Sequence, residues 1–146
     1  MKVLVCGGAG YIGSNMTALV LDSGHEPVVY DNLVRGHREA VRNAKLIVGD
    51  LGDHQLLYDT LTAEKIDAVM HFAAWLEVGE SMEMPLKYYK NNVSNTQILL
   101  EAMQQAGIDR FIFSSTAAVY GISEEIPIRE ESIKMPINVY GETKWT

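Results

Sequence analysis

Residues 2–13 read KVLVCGGAGYIG, and this stretch decides the fold. The apolar run Lys2–Cys6 is short, rich in valine and followed at once by glycines, which is typical of a buried strand. A helical spacing of apolar residues then runs over 12–22, and Gly24 follows it as a stop signal. The stretch therefore predicts a strand, a tight glycine turn and a helix in direct succession.

The rest of the chain repeats this alternation of short apolar runs and helical patterns. Strands that alternate with helices predict a parallel sheet covered on both faces. Right-handed crossovers then give an α/β, doubly wound, Rossmann-like fold with strand order 3-2-1-4-5. The further predicted elements are strands at 27–31, Lys45–Val48, 67–73 and 110–115, helices at 53–61 (with Asp53 as N-cap), at 85–106 and from Val139 onward, and a loop at 121–136.

A stripe of residues at three-to-four spacing runs along the long predicted helix at 85–106 and predicts a side that packs on the sheet. The stripe consists of Leu86, Tyr89, Val93, Thr96, Leu100 and Met103.

Composition narrows the class of protein. The 146 residues, 47% of them apolar, fit one globular domain, and the longest apolar run, 68–76, is too short to span a bilayer. The net charge of −7 argues against a nucleic acid or an anionic membrane as partner. One cysteine and the lack of a signal-peptide core after Met1 predict a reducing, cytoplasmic location. The 4 histidines show no metal-ligand spacing, so no metal site is expected.

The glycine turn carries the first functional signal. It satisfies G-x-G-x-x-G at Gly8, Gly10 and Gly13, and G-x-x-G-x-x-G when Gly7 is counted. One glycine allows the tight turn, the next lets the backbone approach a diphosphate, and Gly13 lets the helix pack close to the sheet. The amides at the helix N-terminus suit that anion despite the negative net charge. The turn predicts a dinucleotide site, with a plain strand-to-helix turn as the alternative.

Asp31 lies at the end of the second predicted strand. A carboxylate at this place accepts hydrogen bonds from the ribose hydroxyls of NAD and repels the 2′-phosphate of NADP. The alternative is a turn residue, supported by the neighbouring Asn32. Arg35 and Arg38 would suit a 2′-phosphate, so the sequence favours NAD and leaves NADP open.

Two further strand ends belong to the same edge, because ligands of such sheets bind at the carboxyl ends of the strands. Asp50 follows the third strand, and Phe72, Ala73 and Ala74 follow the fourth. Small residues there would let a cofactor cross the edge, although packing of a buried strand end explains them nearly as well.

Tyr140 and Lys144 are spaced i, i+4 and share one helix face. An ammonium beside a phenol stabilises the phenolate, which makes the tyrosine a usable base. Ser114 and Thr116 end the fifth strand, where a hydroxyl would hold a reacting oxygen against Tyr140. An exposed helix pair and hydroxyls that satisfy the strand end are the structural alternatives.

In order along the chain, these motifs resemble the extended short-chain dehydrogenase/reductase family. The resemblance rests on GGAGYIGS at 7–14, DNL at 31–33, GD at 49–50, HFAA at 71–74, VGES at 78–81, YYKNN at 88–92, FIFSSTAAVYG at 111–121 and YGETK at 140–144.

The resemblance implies bound NAD and 4-epimerisation of a UDP-hexose such as UDP-glucose or UDP-galactose. Tyr140 would take the 4-hydroxyl proton while the C4 hydride passes to NAD, and the hydride would return to the other face of the keto sugar. Lys144 would tune Tyr140, Thr116 would act with it on the hydroxyl, and the complete protein would be a homodimer. The residues that the resemblance places at the cofactor are Gly7, Gly10, Tyr11, Ile12, Gly13, Asp31, Asn32, Leu33, Arg35, Gly36, Asp50, Leu51, Phe72, Ala73, Ala74, Asn91, Ser114, Tyr140 and Lys144.

Three alternatives to a complete UDP-hexose epimerase follow from the same residues. A nucleotide-sugar dehydratase is disfavoured, because Ala117 and Ala118 stand where such relatives carry acids after the threonine. An epimerase for another UDP-sugar shares all these motifs. The chain stops two residues after Lys144, so 1–146 is expected to be an incomplete NAD-binding domain, cut before the sixth strand and the substrate domain. It is therefore expected to bind NAD without turnover when alone.

Overall fold

A computed structural model describes residues 1–123 and 125–146. The chain divides into two compact units. The sheet unit comprises Met1–Ala73 and Thr96–Ser114, and the helical unit comprises Ala74–Asn95 and Ser115–Thr146.

The sheet unit contains a parallel sheet in the order β3-β2-β1-β4-β5 across the described residues, which confirms the predicted topology. At the register of Cys6, the neighbouring residues are Tyr30 on one side and His71 on the other. The strands are β1 Lys2–Cys6, β2 Glu26–Asp31, β3 Lys45–Val48, β4 Ala68–His71 and β5 Phe111–Phe113.

The central strand β1 is buried on both faces, as its uninterrupted apolar sequence predicts. Leu4 and Cys6 pack into the main core cluster together with residues of α2 (His54–Ala63) and α5 (Asn95–Gln105). Val3 and Val5 pack on the other face with Val20 of α1 (Tyr11–Asp22). The helices therefore cover both faces of the sheet, as the doubly wound fold requires.

The predicted strands β4 and β5 are longer than the observed ones. β4 ends at His71 instead of residue 73, because its partner β1 ends at Cys6, where Gly7 turns away with a φ of +77°. β5 covers Phe111–Phe113 instead of 110–115, and it ends at Phe113 because its partner in β4 is His71, the last residue of that strand. The predicted N-cap is confirmed: the Asp53 carboxylate accepts the Leu56 amide at 3.0 Å.

The long predicted helix at 85–106 is interrupted. It consists of α4 (Pro85–Tyr88), a π-helical segment (Tyr89–Ser94) and α5. The predicted stripe is also wrong at three of its six positions, because Leu86, Tyr89 and Leu100 are exposed. The prediction followed apolar side chains, whereas the buried face includes two asparagines. The buried positions are Tyr88, Asn92, Asn95, Leu99, Ala102 and Met103.

The helical unit is built from short helices. It contains α3 (Val78–Glu83), which the sequence analysis did not predict, a 3₁₀ turn at Ala117–Tyr120 and α6 (Val139–Trp145). The described residues of 121–136 form neither helix nor strand, in agreement with the predicted loop. Throughout the described ranges, each helix is too short or too polar to cross a membrane.

The approach of α1 to the glycine turn gives a stability prediction. A Cβ atom at Gly13 would lie 2.1 Å from the Gly7 carbonyl oxygen, so Gly13→Ala must displace the backbone. We expect Gly13→Ala to lower the free energy of unfolding by about 1–3 kcal/mol, measured by urea denaturation.

Gly79→Ala is the matched control, because a Cβ at Gly79 meets no atom within 4 Å. Since Gly79 lies in α3, alanine there should leave stability unchanged or raise it by up to about 1 kcal/mol. Equal stability of the two variants would contradict the close-approach argument.

Candidate functional site

The glycine turn joins β1 to α1 with little room for side chains. The Gly10 amide donates to the Gly7 carbonyl at 3.1 Å, which closes the turn. A Cβ at Gly7 would lie 2.6 Å from the Ala73 nitrogen, so the chain two residues after β4 also packs on this backbone. The predicted cofactor residues Gly7, Gly10, Gly13 and Ala73 are therefore brought together within the sheet unit.

Backbone donors are available at the start of α1. The first intrahelical amide is that of Ser14, which donates to Gly10 at 2.9 Å. The amides of Tyr11, Ile12 and Gly13 precede it, and the N-cap Gly10 has no side chain to accept them. Tyr11 and Ile12 are 87% and 58% exposed. This end of the helix suits an anionic group such as the diphosphate of a dinucleotide.

Asp31 is 8% exposed and is committed to two backbone amides. Its Oδ2 accepts the Ala9 amide of the glycine turn at 3.0 Å, and its Oδ1 accepts the Leu33 amide at 2.8 Å. The bond from Leu33 confirms the turn-residue interpretation of Asp31. Its role toward a ribose stays a prediction, for which each carboxylate oxygen keeps a second lone pair beside the amide that it accepts. Gly36 packs against it: a Cβ at Gly36 would lie 2.9 Å from Asp31 Oδ1.

The ends of β2 and β3 are joined by a polar corner. The Asn32 amide group donates to Asp50 Oδ2 at 2.9 Å, while Asp50 Oδ1 accepts the Gly52 amide at 2.8 Å. The Tyr30 hydroxyl donates to the Asp50 carbonyl at 3.0 Å, and burial raises the pKa of Tyr30 above its ordinary range. Leu51, between these groups in sequence, is buried. Asp31 with Leu33 and Gly36, and Asn32 with Asp50, therefore lie at the ends of β2 and β3, whereas Leu51 belongs to the main core cluster.

The last residue of β4 lies beside the residue that follows β5. The Ser114 amide donates to the His71 carbonyl at 3.1 Å. His71 is buried, and its Nε2 lies 2.9 Å from the Thr96 hydroxyl, so His71 is a core residue of the sheet unit. Cys6 is buried too, and burial raises the pKa of its thiol, which disfavours the reactive thiolate form.

In the helical unit, α6 carries Tyr140 and Lys144. Lys144 is 6% exposed, and burial lowers its pKa to about 8. The Ser115 hydroxyl donates to the Lys144 carbonyl at 3.3 Å. A Cβ at Gly141 would lie 2.7 Å from the Ala118 carbonyl oxygen, so the residue next to Tyr140 packs directly on the 3₁₀ turn.

Thr116 begins that 3₁₀ turn, and its Oγ1 accepts the Ala118 amide at 3.2 Å. This is the backbone-satisfying role that the sequence analysis gave as the alternative. Because Oγ1 acts only as an acceptor there, its own hydrogen stays available for a ligand oxygen.

Asn91 and Asn92 lie in the π-helical segment. The Asn91 amide group donates to Asn92 Oδ1 at 2.8 Å. Asn92 is 3% exposed; it pairs with both the amide and the carbonyl of Trp75, at 2.9 and 3.0 Å, and donates to Thr143 Oγ1 at 3.0 Å. The buried role of Asn92 was not predicted, because its neighbours Asn91 and Ser94 are polar too and no local pattern sets it apart.

Among the described residues, no group of three or more histidine, cysteine or acidic side chains is arranged to hold a metal ion.

Three comparisons with known proteins agree on the family. Residues 3–146 match the model of the NAD dependent epimerase/dehydratase family. The UDP-glucose 4-epimerase of Rhizobium meliloti (strain 1021) is 50% identical over 144 residues, which cover 99% of this chain and 44% of that protein. The crystal structure of UDP-glucose 4-epimerase from Brucella ovis in complex with NAD has a TM-score of 0.96 at 48% identity and covers 99% of this chain and 44% of that one.

The UDP-Glc/GlcNAc 4-epimerase from Campylobacter jejuni has a TM-score of 0.93 at 46% identity, with coverage of 99% of this chain and 46% of that one. The chain thus spans less than half the length of the proteins that it matches. The family model, by contrast, matches nearly every residue from the glycine turn to α6, and the chain belongs to the NAD dependent epimerase/dehydratase family.

Proposed function

We propose that the full-length protein containing these residues catalyses NAD-dependent 4-epimerisation of a UDP-hexose, with UDP-glucose and UDP-galactose as the pair of substrates. The observation that carries the proposal is the 50% identity to a UDP-glucose 4-epimerase over 99% of this chain, which includes both the glycine turn and YGETK.

The sheet unit would hold the cofactor. The amides of Tyr11 and Ile12 suit its diphosphate, and the spare lone pairs of Asp31 suit the adenosine ribose. NAD, when bound, would accept and return the hydrogen and two electrons of the sugar C4. The remaining cofactor residues of this proposal are Gly7, Gly10, Gly13, Asn32, Leu33, Arg35, Gly36, Asp50, Leu51, Phe72, Ala73, Ala74, Asn91, Ser114, Tyr140 and Lys144.

The helical unit would supply the proton chemistry. Tyr140 takes the proton of the sugar 4-hydroxyl and returns it at the end of the cycle. The Lys144 ammonium stabilises the phenolate form of Tyr140. The free hydrogen of the Thr116 hydroxyl donates to the sugar oxygen and holds it toward Tyr140. Ala117 and Ala118 offer no acid for an elimination, so the keto sugar is reduced again instead of being dehydrated.

Two neighbouring functions differ from this proposal in substrate or in turnover. The similarity to a UDP-Glc/GlcNAc 4-epimerase favours N-acetylated UDP-sugars as additional substrates. The coverage of 44% of the relative favours an NAD-binding chain without turnover when these 146 residues stand alone. Conversion assays with UDP-galactose and with UDP-N-acetylgalactosamine, beside a measurement of retained NAD, separate the three.

The partner of the full-length protein would be a second copy of itself. Leu86 and Tyr89, which begin the predicted stripe, are 82% and 36% exposed in the helical unit. Exposed apolar side chains of this kind favour burial at an interface.

Cofactor preference gives a test of Asp31. Asp31→Asn removes the charge while keeping one oxygen acceptor for the backbone amides. We expect NAD affinity to fall about tenfold and the preference for NAD over NADP to narrow, measured by fluorescence titration of the full-length protein with both dinucleotides.

Asp22→Asn makes the same charge change at an exposed position of α1 and should leave both affinities unchanged. NADP binding as tight as NAD binding by the unmodified protein would refute the role of Asp31.

Replacement of Tyr140 tests the proton acceptor. Tyr140→Phe should lower kcat about 10²–10⁴-fold in the UDP-galactose assay while the protein keeps its fold and its NAD. Thr116→Val should cost less, because it removes a positioning donor and not the base.

Tyr58→Phe is the matched control. Tyr58 is a half-buried residue of α2, and loss of its phenolic hydroxyl, which lies outside the proposed site, should leave kcat unchanged. Near-normal turnover of Tyr140→Phe would refute the assignment.

The lowered pKa of Lys144 predicts a pH dependence. Because burial lowers this pKa to about 8, the ammonium loses its proton as the pH rises through that value. We expect kcat to decline there, measured as a pH–rate profile of the full-length protein.

Lys144→Arg should abolish the decline even if it lowers the rate overall, because a guanidinium keeps its charge to pH values above about 12. A profile of the unmodified protein that stays level through pH 8 would contradict the role of the Lys144 charge.

A further inference from the structure

We propose that Ser81 is a positioning residue for Tyr140: its hydroxyl caps the first turn of α6 and fixes the backbone from which the phenol projects. The inference rests on the proposed function in assuming that Tyr140 acts on the substrate. It adds a residue on a different helix, α3, which touches neither sugar nor cofactor in that proposal.

Ser81 is fully buried, and both sides of its hydroxyl are engaged. Its hydrogen points to the Val78 carbonyl, 2.6 Å away on the same helix. Its oxygen accepts the backbone amide of Tyr140 at 3.1 Å. The bond to Val78 sets the rotation of the hydroxyl, so a lone pair is presented to Tyr140 in a defined direction.

The cap matters because α6 has few other bonds at this end. The first backbone amides of a helix lack intrahelical acceptors. In α6, Asn138 is the N-cap: its side chain accepts the Gly141 amide at 2.7 Å and its carbonyl accepts the Glu142 amide at 3.1 Å. The Tyr140 amide is served from another helix, by Ser81. Since a helix of 7 residues is marginal by itself, this tertiary bond fixes where its first turn lies.

The helix that carries Ser81 is itself held firmly. The Tyr88 hydroxyl of α4 lies 2.8 Å from both the Glu77 carbonyl and Glu80 Oε2, and Tyr88 is fully buried. The Lys87 ammonium pairs with Glu80 at 2.7 Å. α3 therefore provides a fixed point for the Tyr140 backbone.

Loss of the Ser81 hydroxyl should displace Tyr140 and leave the binding of substrate and NAD unchanged. In the full-length protein, we expect Ser81→Ala to lower kcat about tenfold, with KM for UDP-galactose and the retained NAD unchanged, because catalysis is sensitive to displacements of about 1 Å. Ser94→Ala, a half-buried serine of the π-helical segment in the same unit, is the matched control and should keep the normal kcat.

A double-mutant cycle separates positioning from a general structural role. If Ser81 acts through the Tyr140 phenol, Ser81→Ala should add no further loss in the Tyr140→Phe background. An equal loss in both backgrounds would overturn the proposal, as would a normal kcat for Ser81→Ala in a protein whose Tyr140→Phe variant is inactive.

Ser81→Thr serves if Ser81→Ala does not fold, because threonine keeps the hydroxyl and commonly bonds the carbonyl three residues back. A kcat within about twofold of normal supports the proposal, and a folded Ser81→Thr variant that has lost tenfold contradicts it. If the unmodified protein converts no UDP-sugar, the proposed function has failed, and the positioning role of Ser81, which rests on it, is overturned with it.

Discussion

The close approach of α1 to the turn after β1 is the constraint on which the sheet unit depends. Gly13 and the Gly7 carbonyl come so near that a single methyl group would not fit. This contact brings the first turn of α1 against the end of β1, which leaves the amides of Tyr11 and Ile12 at the sheet edge. It also places Ala9 where its amide meets the Asp31 carboxylate, so the end of β2 is tied to the same turn.

The helical unit depends on a different kind of contact. Its short helices are held by buried polar side chains with defined hydrogen bonds and not by a large apolar core. Asn92 satisfies both backbone groups of Trp75 and reaches Thr143 on α6, while Ser81 reaches the Tyr140 amide from α3. Such bonds depend on direction, which suits a unit whose proposed task is to hold a phenol and an ammonium in place.

The sheet could be predicted well because the strands are short and mostly apolar, and glycine or an acidic residue stands at an end of β1, β2, β3 and β4. The strand order follows from handedness and crossovers, and the Asp53 cap follows from residue type. The predicted strands β4 and β5 were too long, because a strand ends where its pairing partner ends. Gly7 ends β1, the partner of β4, and it lies more than 60 residues away in sequence.

The site divides in the same way. Local motifs pointed to the glycine turn, Asp31 and the Tyr140–Lys144 pair, and the structure confirms the turn, while the roles of the other three residues stay predictions. They did not predict Ser81 or Asn92, whose roles exist only through contacts with residues far along the chain. The buried stripe at 85–106 was misplaced for a related reason. Burial in this segment depends on hydrogen-bond partners. Two asparagines are therefore buried, whereas a prediction from apolar side chains alone places other residues on the buried face.

The polar interior of the helical unit has a thermodynamic consequence. Its described buried side chains include Ser81, Asn92, Asn95, Thr143 and Lys144, whereas the sheet unit buries mainly valine and leucine. Exposure of apolar surface raises the heat capacity on unfolding, and exposure of polar surface lowers it. Per buried residue, opening of the helical unit is therefore expected to change the heat capacity less than opening of the sheet unit. Cooling, which weakens apolar burial, is expected to destabilise the sheet unit more than the helical unit.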